Sequence, residues 1–115
     1  MVKIENMAGT IIISSEALGE IVGMAATSCY GVVGMANKNP TEGIVSLLKK
    51  ENYEKGVKVT VVDGKLEIDL HIVVLYGVNI RAITESIVHK VQYSVEEQTG
   101  FLVSKITVYV DDMKF

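Results

Sequence analysis

The sequence predicts an α+β domain, a two-layer sandwich with helices on one face of a largely antiparallel mixed β-sheet, and three observations carry that reading. Short apolar runs with a two-residue alternation recur along the chain. Two longer segments instead place apolar residues at three- and four-residue steps, as one-sided helices do. Asp63-Gly64 separates two alternating runs, the signature of a tight hairpin. The expected order is β-α-β-α-β-β-α-β.

Gly9 to Ser14, reading GTIIIS, is the first strand. Ser14 or Ser15 can cap the helix that follows, with Glu16 facing the positive end of its dipole. Leu18, Ile21, Val22, Ala25 and Cys29 form its buried stripe. Gly19 and Gly23, four apart, let it approach a sheet closely, and Gly31 ends it. Val32, Val33, Met35 and Ala36 make a brief second strand, broken by Gly34. Asn39-Pro40-Thr41-Glu42 reads as a helix start, with Ile44, Val45, Leu47 and Leu48 as its apolar face and Lys49 and Lys50 at its end. Glu51 to Gly56 is expected as a surface loop.

Val57, Val59 and Val61 alternate with Lys58 and Thr60 before the Asp63-Gly64 turn. The return strand sets Leu66, Ile68, Leu70, Ile72 and Val74 on one face. Its other face reads Lys65, Glu67, Asp69, His71, Val73 and Leu75, passing from polar to apolar. Asn79 caps a long helix lined by Ile80, Ile83, Ile87, Val91 and Val95, and Gly100 ends it. Glu96 and Glu97 oppose the dipole at that end, a local conflict. The last strand, Leu102 to Asp112, turns Leu102, Ile106, Val108 and Val110 inward.

The chain's 115 residues suit one domain, residues 1–115 with a core from about 9 to 112. At 49% hydrophobic it can bury a core and is not disordered. Eleven Lys and Arg against fourteen Asp and Glu give a net charge of −3, which argues against a phosphate-neutralising nucleic-acid binder. Aromatic residues at 6%, with no Trp, leave little for base stacking. Cys29, the only cysteine, cannot form an internal disulfide, and the first residues show no apolar signal region. The uncharged run from Ile21 to Asn37 falls short of the ~20 residues of a membrane span and is broken by glycines. A cytoplasmic protein without direct membrane insertion is expected.

Several landmarks run in a fixed order: Gly9-Thr10-Ile11-Ile12-Ile13-Ser14, the helix with Ile21, Ala25 and Ala26, then Gly31-Val32-Val33-Gly34-Met35. The Asp63-Gly64 hairpin, the Tyr76-Gly77 turn and Thr99-Gly100 before a Val-rich strand continue it. In joint order and spacing the chain resembles the alkaline shock protein family of Gram-positive bacteria. That resemblance implies a small cytoplasmic protein linked to cell-envelope homeostasis and stress tolerance. It transfers no catalytic residues.

The candidate sites divide by chemistry. Cys29 could serve as a nucleophile with His71 or His89 as base, but it lies on a buried stripe at a helix C-terminal end, where the dipole opposes a thiolate. Glu67, Asp69 and His71 share a strand face at two-residue steps, a spacing open to a metal, yet a solvated face explains them equally and zinc favours more His or Cys. Glu85 and His89 read as a surface pair. Gly31 to Gly34 spells GxxG, the loop of KH modules, so a KH-like RNA-binding domain is the alternative reading, weakened by the strand that follows and by the distance to the nearest cation, Lys38. No HExxH or CxxC is present, and neither cofactor nor metal is implied.

What remains is a surface for association. With helices on one sheet face, the other shows Val62, Val73, Leu75, Val103 and Tyr109 beside Glu67, Asp69, His71, Lys105 and Thr107. An apolar centre with a charged rim is the anatomy of an interface, although the N-terminal strand or the short helix could instead cover Val73 and Leu75. A non-enzymatic interaction protein follows, with a homo-oligomer, protein partners and a membrane-anchored partner protein as the expected company.

Overall fold

The computed structural model describes residues 2–6, 8–39 and 44–115. Its elements are β1 (Val2–Asn6), β2 (Gly9–Ile13), α1 (Ser15–Thr27), β3 (Val32–Asn39), β4 (Ile44–Leu47), a 3-10 helix (Lys50–Gly56), β5 (Val57–Val62), β6 (Lys65–Leu75), α2 (Ile80–Thr99) and β7 (Val103–Lys114). The α+β class is as expected, with two α-helices against a mixed, mostly antiparallel sheet.

β6 is the hub. β5 pairs antiparallel with its first half, from Val62↔Lys65 to Val57↔Leu70, and β3 takes over the same edge from Met35↔Ile72 to Val32↔Val74. β7 follows the opposite edge in parallel, from Leu66↔Val103 to Leu75↔Lys114. The intervening α2 has twenty residues, about 30 Å of helix, which returns the chain along the roughly 36 Å of β6. Leu66, Ile68, Leu70, Ile72 and Val74 are fully buried on the helix side, against Leu18, Val22 and Ala26 of α1 and Ile87, Val91 and Val95 of α2. Caps are where the sequence places them: the Ala17 amide donates to Ser14 Oγ at 3.0 Å, and the Ala82 amide to Asn79 Oδ1 at 3.1 Å.

Four expectations change. Val2–Asn6 is a strand, paired with β2 as a separate ribbon that Val2 and Ile13 fasten to the core. Ile44–Leu47 is a strand rather than a helix, paired with β3 from Ala36↔Leu47 to Asn39↔Ile44. A run of four apolar-rich residues fits either structure, and the vacant edge of β3 supplies backbone partners that a short helix lacks. The Pro40, Thr41 and Glu42 of the expected helix start lie outside the described residues. The expected loop after it is a 3-10 helix lying on α1, so Gly19 and Gly23 admit that helix and not a sheet. A Cβ at Gly19 would stand 2.5 Å from Glu54 Cα, and one at Gly23 2.4 Å from Tyr53 Cδ2. Finally, Leu102 is 57% exposed, and Val103 takes the inward place because Ser104 forms a bulge between Leu66↔Val103 and Glu67↔Lys105.

Candidate functional site

The helices leave one face of the β5–β6–β7 sheet open. Alternation sends Lys58, Thr60 and Val62 of β5, the second row of β6, and Lys105, Thr107 and Tyr109 of β7 to this side. Cross-strand register sorts the charges along β6. Glu67 lies between Thr60 and Lys105, and Asp69 lies between Lys58 and Thr107, so each acid faces one lysine. That pattern is a charge ladder in solvent. Among the described residues no three His, Cys, Asp or Glu side chains converge on one point.

His71 is held differently. Its partner across the strands is Tyr109, whose ring stacks on the imidazole at 4.7 Å between centroids and 12° between planes. Asp111 falls in a second β7 bulge, between Ile72↔Val110 and Val73↔Asp112. Its carboxylate oxygens stand 3.0 and 3.2 Å from His71 Nδ1, the Asp side chain 9% exposed and the His 35%. The bulge re-aims the acid at the ring, and the three side chains pin β6 to β7. Sequence alternation alone could not pair His71 with Asp111, since the bulge changes the register.

The five candidate interface residues part company here. Leu75 (42%) and Tyr109 (44%) are exposed, as is Val62 beside the hairpin turn. Val73 is only 1% exposed, so it presents no surface. Its cross-strand neighbour is Gly34, where a Cβ would meet Leu47 Cδ2 at 3.2 Å; Leu47 of β4 therefore lies over this part of the face. Val103 is corrected: it is half-buried and packs against the helix-side core. The alternation misses the neighbours of Leu75. Tyr76 and Phe115 stack at 4.4 Å, and the Tyr76 amide donates to Lys114 O at 2.7 Å, closing the ends of β6 and β7 together. Two exposed aromatic residues next to Leu75 are the signal that could have marked this end.

The other candidates are placed apart from this face. Cys29 is buried in the helix-side core, where Ser86 Oγ donates to its Sγ at 3.7 Å, and the sheet separates it from His71. His89 is exposed on α2, and Glu85 pairs with Arg81 at 3.5 Å rather than with His89. Gly31 stands at φ +88, where a Cβ would meet Ile83 Cδ1 at 2.5 Å, and Val32–Gly34 enter the bulged start of β3. The GxxG residues thus make a turn that packs against Ile83 of α2 and leads into a strand, not a loop presented to a nucleic-acid backbone. A groove of about 530 Å³ runs between α1 and α2, with Glu20, Met24, Lys90 and Ser94 among its walls. No described helix is long and apolar enough to cross a membrane.

A family model described as the alkaline shock protein 23 family, of cell envelope-related function, matches residues 3–115. The uncharacterized protein Spy1614 of Streptococcus pyogenes is 39% identical over 114 residues, 98% of this chain and 94% of that protein. The uncharacterized protein YloU of Bacillus subtilis is 35% identical over 114 residues, covering 98% and 95%. A third relative, the uncharacterized protein YqhY of Bacillus subtilis, is 30% identical over 107 residues, covering 93% and 78%. No solved structure matches the chain.

Proposed function

The chain belongs to the alkaline shock protein 23 family, whose function is cell envelope-related, and from that premise we propose that it serves the envelope by binding and not by catalysis. It acts in the cytoplasm, associates with itself, and docks protein partners on the open sheet face. A membrane-anchored partner protein brings it to the envelope, and the stress-tolerance role implied by the resemblance is exercised through that complex.

The open face carries the reading. Leu75 and Tyr109 are exposed there, the Tyr76–Phe115 stack adjoins Leu75, and the Glu67, Asp69, Lys58 and Lys105 ladder lies beyond them. Apolar anchors beside a solvated polar region are what a protein interface uses, with aromatic residues as its energetic centre.

Leu75→Asp tests it, because the exposed side chain can change without opening the core. After gentle lysis of cells making each form, wild type is expected in the envelope fraction and the variant mostly in the soluble one. Equal envelope recovery of the two would remove this face from the reading. Sedimentation of purified wild type at rising concentration checks self-association separately, and a monomer at high micromolar concentration would eliminate it.

A further inference from the structure

β7 is paired on one edge only. β6 follows its inner edge for the full length of the strand, and among the described residues no strand pairs with the other. Twelve residues of β-strand therefore turn alternate backbone N–H and C=O groups outward, an arrangement that accepts a further strand. The row of side chains on its helix side is unfinished as well. The inward residues of β6 are fully buried, whereas Ile106, Val108 and Val110 pack on the same core and stay half-exposed.

We propose that this edge pairs antiparallel with β7 of a second copy, about a two-fold axis at Val108. The proposal rests on the self-association reading above and gives it a surface. A two-fold that continues the sheet keeps like faces on one side only when the axis passes through a residue, because side chains alternate with a period of two. With the axis at Val108, Lys105 stands opposite the partner's Asp111, Thr107 opposite the partner's Tyr109, and Ile106 opposite the partner's Val110. Opposite charges meet twice on the open face, and apolar residues meet on the helix face.

Neighbouring axes lose this agreement. At Thr107, Lys105 would face the partner's Tyr109; at Tyr109, it would face the partner's Met113. A lysine on a free edge ordinarily discourages pairing, and here it selects a strand that brings an acid to the opposed place. Asp111 is already fixed by His71, so the carboxylate is in position before Lys105 arrives. The bulge at Ser104 ends the regular stretch on one side, and Asp111 stands in the bulge at its other end, directly after Val110. Each copy uses the same strand, so this contact is isologous and is complete with two copies.

Two measurements test it. In sedimentation equilibrium, Lys105→Glu is expected to weaken the dimer roughly tenfold, since two symmetry-related pairs become like-charged. Adding Asp111→Lys to that variant is expected to restore the dimer by reversing each pair. Independently, a mixture of Thr107→Cys and Tyr109→Cys chains is expected to form a mixed disulfide under mild oxidation, with far less homodisulfide from either chain alone; Cys29, buried, stays silent. A wild-type dimer that Lys105→Glu leaves intact and that gives no mixed disulfide would overturn the β7 pairing while leaving self-association standing. A monomeric wild type would overturn both.

Discussion

A methyl group added at Gly19 would come within 2.5 Å of the Glu54 Cα, a backbone atom that no rotamer change can move aside. Alanine improves an ordinary helix by about 1 kcal/mol over glycine, while overpacking costs roughly 1–3 kcal/mol. The clash wins here, so Gly19→Ala is expected to lower stability by about 1–2 kcal/mol, read as a lower urea midpoint with an unchanged slope. A gain in stability would show that the 3-10 helix does not rest on α1. The spacing of Gly19 and Gly23 was legible as a demand for close approach. What approaches was not, because Tyr53 and Glu54 lie in a polar stretch whose sequence advertises only solvent. Cys29 behaves oppositely: its buried stripe was readable from apolar spacing alone, since burial depends on its own helix face more than on a distant partner.

Between elements, the acidic end of α2 acquires a purpose. Glu96 Oε2 accepts the Val103 amide at 2.9 Å and the Gln92 side-chain amide at 3.4 Å, so it caps the first residue of β7 rather than its own helix. The dipole conflict is worth about 0.3–1 kcal/mol at such an end, and an orphaned strand amide roughly 1–3 kcal/mol. Glu96→Ala is therefore expected to destabilise by about 1 kcal/mol, with Glu96→Gln close to wild type because it keeps the acceptor. Thermal or urea unfolding of the two variants decides it, and a more stable alanine form would restore the unresolved conflict. The same distinction explains which elements were readable. β5, β6 and α2 declare themselves through periodicity and local turn chemistry, Asp63 and Gly64 both taking positive φ in the hairpin turn. β1 and β4 do not, because each is defined by the strand it pairs with. The bulges that place Val103 inward and Asp111 beside His71 are likewise products of register between distant strands.

The whole molecule is a dense centre with lighter extremities, 50 × 31 × 22 Å in extent. β6 is paired on both edges and roofed by both helices, whereas the β1–β2 ribbon is a sheet of two strands with Ile11 and Ile12 exposed, and among the described residues β4 pairs with β3 alone. Native-state hydrogen exchange is expected to follow that gradient: amides of β6 between Ile68 and Ile72 exchange last, at the global unfolding free energy, and those of β1, β2 and β4 exchange first. Uniform protection would contradict the hub. At this scale the fold class and the open sheet face were legible in the alternation of β6, and envelope involvement was implied by the family resemblance that the ordered landmarks carry. The burial of Val73 was not, since its neighbour Gly34 is overlain by Leu47 of a strand the sequence presented as a helix.

Because β6 is completed in parallel by β7, its second edge stays open until the twenty residues of α2 and the strand beyond have been synthesised. The β5–β6 hairpin can close within microseconds of emerging, yet the most deeply buried strand of the protein then waits at the ribosome with one side unsatisfied. The parallel pairing thus sets the order of assembly, local hairpin first and crossover last, and assigns the interval of greatest aggregation risk to the time taken to translate α2.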